Sequence, residues 1–380
     1  MRKIYKSIHF LFIAIAILGA FASCNNEDVK SGAPVISYIR ITKPAASDSL
    51  LAAAGQGQMI AIIGNNLQDT RQIWFNDQQA SLTPTYISNK SILVNVPSHI
   101  PMTVDNKLKL IFANGDSLLY NFSVTVNKPT ITSMDCEYVL DGGIATIHGN
   151  YFYLPISVTF PGGIAGINPS VDATNQILTV TVPQGVSPGQ ITVTTNFGET
   201  KSDFWFRDNR NLFVTWDPFP ADAWSGSQYV VTNPGPTDPP AINGNYCRVK
   251  QSIGVWAWTD FYDGDMTTAI PDAAILNPAS YNLKFELCTT KPYNNNNILF
   301  GIGKPTFDNQ HCYKFSPPID TKGQWQTIVI PFEDIMNTSV TPNVVSPTGY
   351  ITSLIYLGGT ALDCDMSYDN FRVVPKIIKP

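Results

Sequence analysis

The sequence predicts an all-β protein made of two or three sandwich domains. It contains 26 glycines and 28 prolines, and runs rich in Val, Ile, Thr, Tyr and Phe alternate with them, as in strands joined by turns. Charged residues make up only 14% of the 380-residue chain, against roughly 25% in an ordinary soluble protein. A chain of this length has room for two to three domains, each with its own core.

The pattern of residues 1–23 predicts that they form an export signal. Three cations near the N-terminus precede an apolar run at 8–22, and small residues follow. This is the pattern of a secretory signal peptide, and the run is too short for a comfortable membrane span. The Ala-Ser-Cys ending resembles a bacterial lipobox, although Phe21 stands where Leu is usual. The resemblance implies that Cys24 is lipidated and becomes the first mature residue; the alternative is an ordinary signal with an incidental cysteine.

The segment after Cys24 predicts where in the cell the exported protein is located. Residues 24–33 form a linker in which Glu27 and Asp28 follow the anchor closely, and this resembles the tag that sends Bacteroidota lipoproteins to the outer face of the outer membrane. Contact with a membrane would then be only through the N-terminal lipid. Removal of residues 1–23 deletes three cations and no acid, which takes the net charge from −5 to −8.

Residues 34–206 contain an internal repeat. The run I-I-G-N at 62–65 aligns with I-H-G-N at 147–150, I-W-F at 73–75 with V-T-F at 158–160, and V-N-V-P at 94–97 with V-T-V-P at 180–183. The nearly constant spacing predicts two copies of one domain, and its short strands predict a seven-stranded sandwich. These anchors resemble the immunoglobulin-like TIG/IPT fold. The predicted domains are 34–127 and 128–206, and neither holds a recurring set of acids or nucleophiles, so we expect them to act as spacers.

Residues 207–380 predict a third, larger domain. Nine strand-like segments lie between 212 and 374, which indicates a two-sheet jelly roll. In the strand 281–288, alternation places Leu283 and Phe285 on a core face and Lys284 and Glu286 on a solvent face. Five cysteines follow Cys24 without a metal-ligand spacing. We expect mostly buried thiols, with one disulfide possible in an exported protein.

An aromatic row predicts the binding face of this domain. If residues 255–262 form one strand, Trp256, Trp258, Asp260 and Tyr262 share a face. Exposed indoles suggest a binding surface, since the C–H face of a pyranose ring lies well on an indole and its hydroxyls need polar partners. Trp224, in a loop, is a candidate third aromatic at the rim. The alternatives are that the faces are reversed, which buries both strand indoles, and that Trp224 is tucked over the sandwich edge.

Ordered motifs in this domain resemble a known family. W-D-P at 216–218, G-N-Y-C-R-V at 244–249, W-A-W-T-D-F at 256–261, W-Q-T-I-V-I-P-F at 325–332 and Y-D-N-F-R-V at 368–373 are similar to the C-terminal domain of Bacteroidota surface glycan-binding proteins. The resemblance implies a lipid-anchored protein whose jelly roll binds a polysaccharide and supplies it to an outer-membrane TonB-dependent glycan transporter. It also implies that Trp224, Trp256 and Trp258 form the sugar platform. We expect Trp325, in contrast, to be structural.

Composition and motifs narrow the classes of function. Lys and Arg do not cluster into a basic stripe, so nucleic acid is not an expected partner. The net negative charge favours a neutral polysaccharide, such as a β-glucan or hemicellulose, over an anionic one. No motif for a catalytic nucleophile or metal ligand is present, and we expect a monomer with no metal, cofactor or catalytic residue. A surface adhesin or structural protein is the main alternative, and a glycoside hydrolase, which would need two opposed carboxylates, is a weaker one.

Overall fold

A computed structural model describes residues 32–377, except Ser47, Asp222 and 339–341. The predicted signal peptide and Cys24 lie outside the described residues. The described residues form strands joined by turns and loops, with two single-turn α-helices and four short 3-10 helices, so the all-β prediction is confirmed. Within the described part of the chain, no helix is both long and apolar enough to cross a membrane. The chain divides into two compact units, and the division falls between Val126 and Asn127 in the sequence.

The first unit is one immunoglobulin-like sandwich. Its sheets have the strand orders β1-β3-β6 and β5-β4-β7-β8, and β2 pairs with β9 in parallel. Alternate residues of the two larger sheets face each other across a core that includes Ile62, Ile73 and Leu110. The strands are β1 (Val35–Ile41), β2 (Ala53–Gly55), β3 (Met59–Asn65), β4 (Thr70–Phe75), β5 (Gln78–Gln79), β6 (Ser91–Asn95), β7 (Lys107–Phe112), β8 (Ser117–Asn121) and β9 (Ser123–Thr125).

The second sandwich repeats this arrangement at the start of the second unit. Its sheets are β10-β11-β15-β14 and β13-β12-β16-β17, around a core that includes Ile147, Val158 and Val193. The strands are β10 (Thr130–Met134), β11 (Ile144–Asn150), β12 (Ile156–Phe160), β13 (Ile164–Ala165), β14 (Ile167–Val171), β15 (Ile177–Thr181), β16 (Thr192–Thr195) and β17 (Gly198–Lys201).

The repeated I-x-G-N motif has a steric cause. In each copy the first strand breaks its register against the strand that carries the glycine, and a carbonyl then approaches that glycine. A Cβ at Gly64 would lie 2.0 Å from the Val35 oxygen, and a Cβ at Gly149 would lie 1.9 Å from the Thr130 oxygen. Only glycine permits such an approach, which explains why this position is the same in both copies.

The third domain is a sandwich of a six-stranded and a four-stranded sheet. The first sheet has the order β19-β20-β27-β22-β25, with β18 on β27, and the second has the order β21-β26-β23-β24. The elements are β18 (Leu212–Val214), β19 (Val230–Val231), β20 (Tyr246–Ile253), β21 (Thr259–Thr267), α1 (Asp272–Leu276), β22 (Tyr281–Thr289), β23 (Ile298–Ile302), β24 (Tyr313–Phe315), β25 (Gln326–Pro331), α2 (Phe332–Met336), β26 (Tyr350–Tyr356) and β27 (Leu362–Pro375).

Aromatic rings fill the core between these two sheets. Phe285 of β22 stacks on Phe371 of β27 with ring centroids 4.5 Å apart, and Phe261 of β21 stacks on Tyr368 at 4.7 Å. Rings of this size contribute much of the buried apolar area. The five described cysteines are all buried and free; their burial confirms that prediction, and no disulfide joins them.

The second and third domains share a buried ion-pair network. Glu137, in the segment between β10 and β11, accepts hydrogen bonds from the Lys284 ammonium at 2.6 Å and from the Arg372 guanidinium at 2.8 Å. Arg372 also binds Glu286 at 2.9 Å. The solvent face predicted for strand 281–288 is therefore wrong: Lys284, Glu286 and Cys288 are buried because the second domain covers this face of the sheet.

Apolar packing accompanies these charges at the same junction. Cys136 and Tyr138 of the second domain join a cluster with Tyr246, Cys288 and Trp325 of the third. The Trp325 indole donates to the Pro240 carbonyl at 2.8 Å, which confirms its structural role.

Candidate functional site

Three tryptophans are exposed, and all of them lie in the third domain. Trp224 is 87% exposed, Trp256 69% and Trp258 46%. The chain has seven tryptophans, and the other four are buried or half-buried. An exposed indole leaves a large apolar area in water, so three of them in one domain indicate a binding surface. We call these three side chains the indole surface.

The strand predicted at 255–262 begins later than expected. β21 begins at Thr259, and residues 255 and 256 form a turn after β20. Trp256 has a φ of +56° in this turn, and its N–H donates to the Gly358 carbonyl at 2.7 Å. Trp256 and Trp258 are thus exposed because they precede the strand, rather than because they alternate along it.

Tyr262 was predicted to belong to the exposed row, and the structure places it in the core. Its exposure is 1%, and its ring packs edge-to-face on Trp216 at 5.8 Å. The cause is a β-bulge: Asp260 pairs with Ile355, and Tyr262 pairs with the next residue, Leu354. The extra residue reverses the alternation, so Tyr262 cannot offer a ring face to a ligand.

Asp260 lies on the outer face of the second sheet. Asp260 pairs with Ile355 of β26, which pairs in turn with Leu299 of β23. Ile355 and Leu299 belong to a small apolar cluster outside the main core. Burial raises the pKa of the Asp260 carboxyl, and neighbouring Asp263 raises it further, while a hydrogen bond from the Trp258 side chain opposes both effects. One carboxylate oxygen of Asp260, Oδ1, is buried and has no hydrogen-bond partner among the described residues.

The loop between β23 and β24 supports Trp258. Phe307 of this loop meets the Trp258 ring edge-to-face, with centroids 6.1 Å apart. A Cβ at Gly301 would lie 2.5 Å from the Phe307 ring, so glycine is required below it. No pattern in the sequence indicated Phe307, because its loop lacks strand periodicity.

Trp224 lies along the free edge of β21. Its N–H donates to the Asp263 carbonyl at 2.9 Å, and Ser225 and Asp263 form an isolated bridge. Asp263 is five residues after Trp258, which limits their separation to about 17 Å along an extended chain. The structure therefore brings the Trp224 loop to the same strand that follows Trp256 and Trp258.

The site has no metal-binding cluster in the part of the chain that the structure describes, where no three His, Cys, Asp or Glu side chains come close enough to hold an ion. The side chains described on this surface are three indoles and the carboxylate of Asp260. These groups can stack on a flat apolar face and accept hydrogen bonds.

The fold and this surface define a class: a modular all-β protein in which two immunoglobulin-like domains precede a β-sandwich with exposed indoles. Residues 206–375 match the family described as surface glycan-binding protein B xyloglucan binding domain, and residues 51–138 match the IPT/TIG domain family. The resemblance inferred from the sequence is thereby confirmed.

Relatives of the chain come from Bacteroidota. An IPT/TIG domain-containing protein of Bacteroides ovatus is 32% identical over 163 residues, which are 40% of this chain and 33% of that relative. The match thus spans about a third of the relative's length. The crystal structure of a surface glycan-binding protein from Prevotella bryantii superposes with a TM-score of 0.63 at 23% identity, covering 91% of this chain and 99% of that one.

A second solved structure shows the same fold. It is a surface glycan-binding protein from a complex xyloglucan utilization locus of Bacteroides uniformis, with a TM-score of 0.52 and 18% identity, covering 90% of this chain and all of that one. At these identities the likeness concerns the fold. Both solved structures are of surface glycan-binding proteins.

Proposed function

We propose that this protein captures a neutral polysaccharide at the cell surface, with the indole surface and Asp260 as its binding site. The candidate ligands are β-glucans and hemicelluloses, including xyloglucan and mixed-linkage glucan. The observation that carries the proposal is the exposure of all three indoles on the domain that matches a xyloglucan-binding family.

The chemistry of the site suits a sugar chain without charge. Indole faces stack on the C–H faces of pyranose rings and exclude water from them, and the half-buried carboxylate of Asp260, hydrogen-bonded to the Trp258 side chain, is the proposed polar partner of a hydroxyl. A uronic acid would meet the carboxylate of Asp260 and a net charge of −8 once residues 1–23 are removed. Like charges repel, so neutral polymers are favoured.

The location and partner belong to the same proposal. Cys24 would carry the lipid anchor, and the acidic residues after it would direct the protein to the outer face of the outer membrane. The two immunoglobulin-like domains would act as spacers, and the captured chain would pass to a TonB-dependent transporter. The N-terminal sequence pattern and the family resemblance support this part.

Truncation of the indoles tests the binding site. Trp258→Ala and Trp256→Ala should each weaken binding of xyloglucan or mixed-linkage glucan by about 1 to 3 kcal/mol, the range for stacking of a nucleic-acid base on an aromatic ring, which serves as the analogue. A loss of this size is roughly tenfold or more in affinity. Their melting temperatures should stay near that of the wild type, because an exposed side chain leaves no cavity. Affinity electrophoresis and calorimetry measure the binding.

Tyr86→Ala is the matched control, since Tyr86 is an exposed aromatic of the first domain. It should bind as the wild type does. A folded Trp258→Ala with wild-type affinity would remove that residue from the site. Retention of the wild-type protein by none of the neutral polysaccharides in a panel would reject the function, and new reducing ends after incubation with an oligosaccharide would indicate a hydrolase.

A further inference from the structure

The ring of Trp256 rests on a glycine of another loop. An ideal Cβ on Gly359 would lie 3.0 Å from Cζ2 of Trp256, 3.5 Å from Cε2 and 3.6 Å from Cη2. The distance to Cζ2 is tighter than a Cβ contact normally is, and the other two are ordinary van der Waals distances, so a side chain at position 359 would press on the edge of the indole. The indole is supported on one side while most of it remains exposed.

The backbone of Trp256 is held in a conformation that a bulky residue rarely adopts. Its φ of +56° lies in the left-handed region, where a non-glycine residue persists only if its surroundings hold it there. Two hydrogen bonds do so: the Ala257 N–H donates to the Gly254 carbonyl at 3.2 Å, which closes the turn, and the Trp256 N–H donates to the Gly358 carbonyl at 2.7 Å.

Asn296 ties the supporting loop to a third segment. Its backbone N–H donates to the Thr360 hydroxyl at 2.8 Å, and its amide nitrogen donates to the Thr360 carbonyl at 2.8 Å. The Leu357 N–H donates to the Asn297 carbonyl at 3.0 Å. Asn296 is itself buried, so these bonds are shielded from competition by water.

Gly358 makes this close packing possible. A Cβ at that position would lie 2.6 Å from the Asn296 side-chain oxygen and 2.8 Å from the Asn297 nitrogen. The loop at 357–360 can therefore lie directly on Asn296 only because residue 358 has no side chain.

We propose that Gly359 and Asn296 are positioning residues that hold Trp256 ready for sugar stacking, through a scaffold of residues 254–257, 296–297 and 357–360. This inference rests on the proposed function and deepens it by identifying the residues that hold one indole of the site in place. A ring held in its binding orientation loses less conformational freedom when the ligand arrives, and this loss is a main cost of binding. Neither residue needs to touch the ligand.

A graded series at Gly359 tests the scaffold. The φ of Gly359 is not in the left-handed region, so Gly359→Ala and Gly359→Val keep an accessible backbone conformation and add volume against the ring. Binding of soluble xyloglucan, with mixed-linkage glucan as the second probe, should weaken from Ala to Val. The largest loss of affinity expected in this series is the roughly tenfold or greater loss expected for Trp256→Ala. Melting temperatures check the fold.

Gly235→Ala is the control, because its added Cβ would meet only the end of the Asp238 side chain at 3.4 Å. It should bind as the wild type does. The decisive measurement is the double variant Gly359→Val with Trp256→Ala, which should bind no more weakly than Trp256→Ala alone. A purely structural role of Gly359 would instead give the same loss of affinity in both backgrounds.

The outcomes separate this inference from the function on which it depends. Wild-type affinity of Gly359→Val, together with weak binding by Trp256→Ala, would overturn the scaffold and leave the binding site intact. Additive losses in the double variant would also overturn it. Wild-type affinity of Trp256→Ala, or no binding of either probe by the wild-type protein, would overturn the proposed role of Trp256 and the scaffold with it.

Discussion

Replacement of Arg372 by methionine should strongly destabilise the second unit. The Arg372 side chain is fully buried. It donates to Glu286 at 2.9 and 3.1 Å, to Glu137 at 2.8 Å and to the Asn370 carbonyl at 2.8 Å. After the substitution Glu137 keeps its bond from Lys284, whereas Glu286 keeps only the hydroxyl of Thr327 at 2.9 Å.

The magnitude follows from the charge that remains. Glu286 has no solvent exposure, and removal of one partner of a buried ion pair costs about 3 to 5 kcal/mol, because the other charge is left uncompensated. If this is the cause, the double variant Arg372→Met with Glu286→Gln should recover a large part of the loss. Lys291→Ala breaks an exposed pair with Asp363 and should cost at most about 1 kcal/mol.

Denaturant unfolding followed by tryptophan fluorescence measures these differences. Trp216 and Trp325 are buried in the third domain and report on its unfolding. Because Glu137 belongs to the second domain, Arg372→Met should also separate one shared transition of the two domains into two. A loss below about 1 kcal/mol, or a double variant no more stable than the single one, would refute the argument from an uncompensated charge.

Three further outcomes are expected. Cys24→Ala should abolish lipid labelling and release the protein from the cell surface, and unchanged surface labelling of intact cells would contradict the anchor. Residues 127–380 alone should bind xyloglucan as the longer chain does, whereas residues 207–380 should melt at a lower temperature, because they expose Trp325 and the junction charges. Burial and nearby Glu286 hold the pKa of Asp369 well above its ordinary value, so its proton stabilises the fold at low pH, and that contribution declines as pH rises through the folded-state pKa. Asp369→Asn should remove this decline in a pH series of melting temperatures, and an unchanged slope would count against it.

The fold could be predicted from the sequence because its signals are local. The glycine of I-x-G-N recurs since a carbonyl approaches it in both copies, and turn residues separate the strands throughout. The fold class, the resemblance to surface glycan-binding proteins and the burial of the cysteines are confirmed. The domain boundaries placed between residues 127 and 128 and between residues 206 and 207 stay predictions.

The sequence predictions that are wrong concern residues whose exposure depends on contacts with distant parts of the chain. Lys284 and Glu286 follow the alternation of a solvent-facing strand, but a segment about 150 residues earlier covers them. The position of Tyr262 depends on a β-bulge whose register only the partner strand reveals. Asn296 is one of four consecutive asparagines at 294–297, and its proposed positioning role depends on contact with Thr360. A single sequence carries no direct signal of such pairings.

Strand β27 has a mechanical consequence. It begins shortly after the loop that supports Trp256, runs between β20 and β22, and carries Arg372 near its other end. From Leu362 to Arg372 the strand extends about 33 Å. If a bound polymer pulls on the indole surface while the second domain stays in place, this strand is under tension along its own axis. Its hydrogen bonds to both neighbours would then share the force in shear, instead of breaking one after another as in peeling.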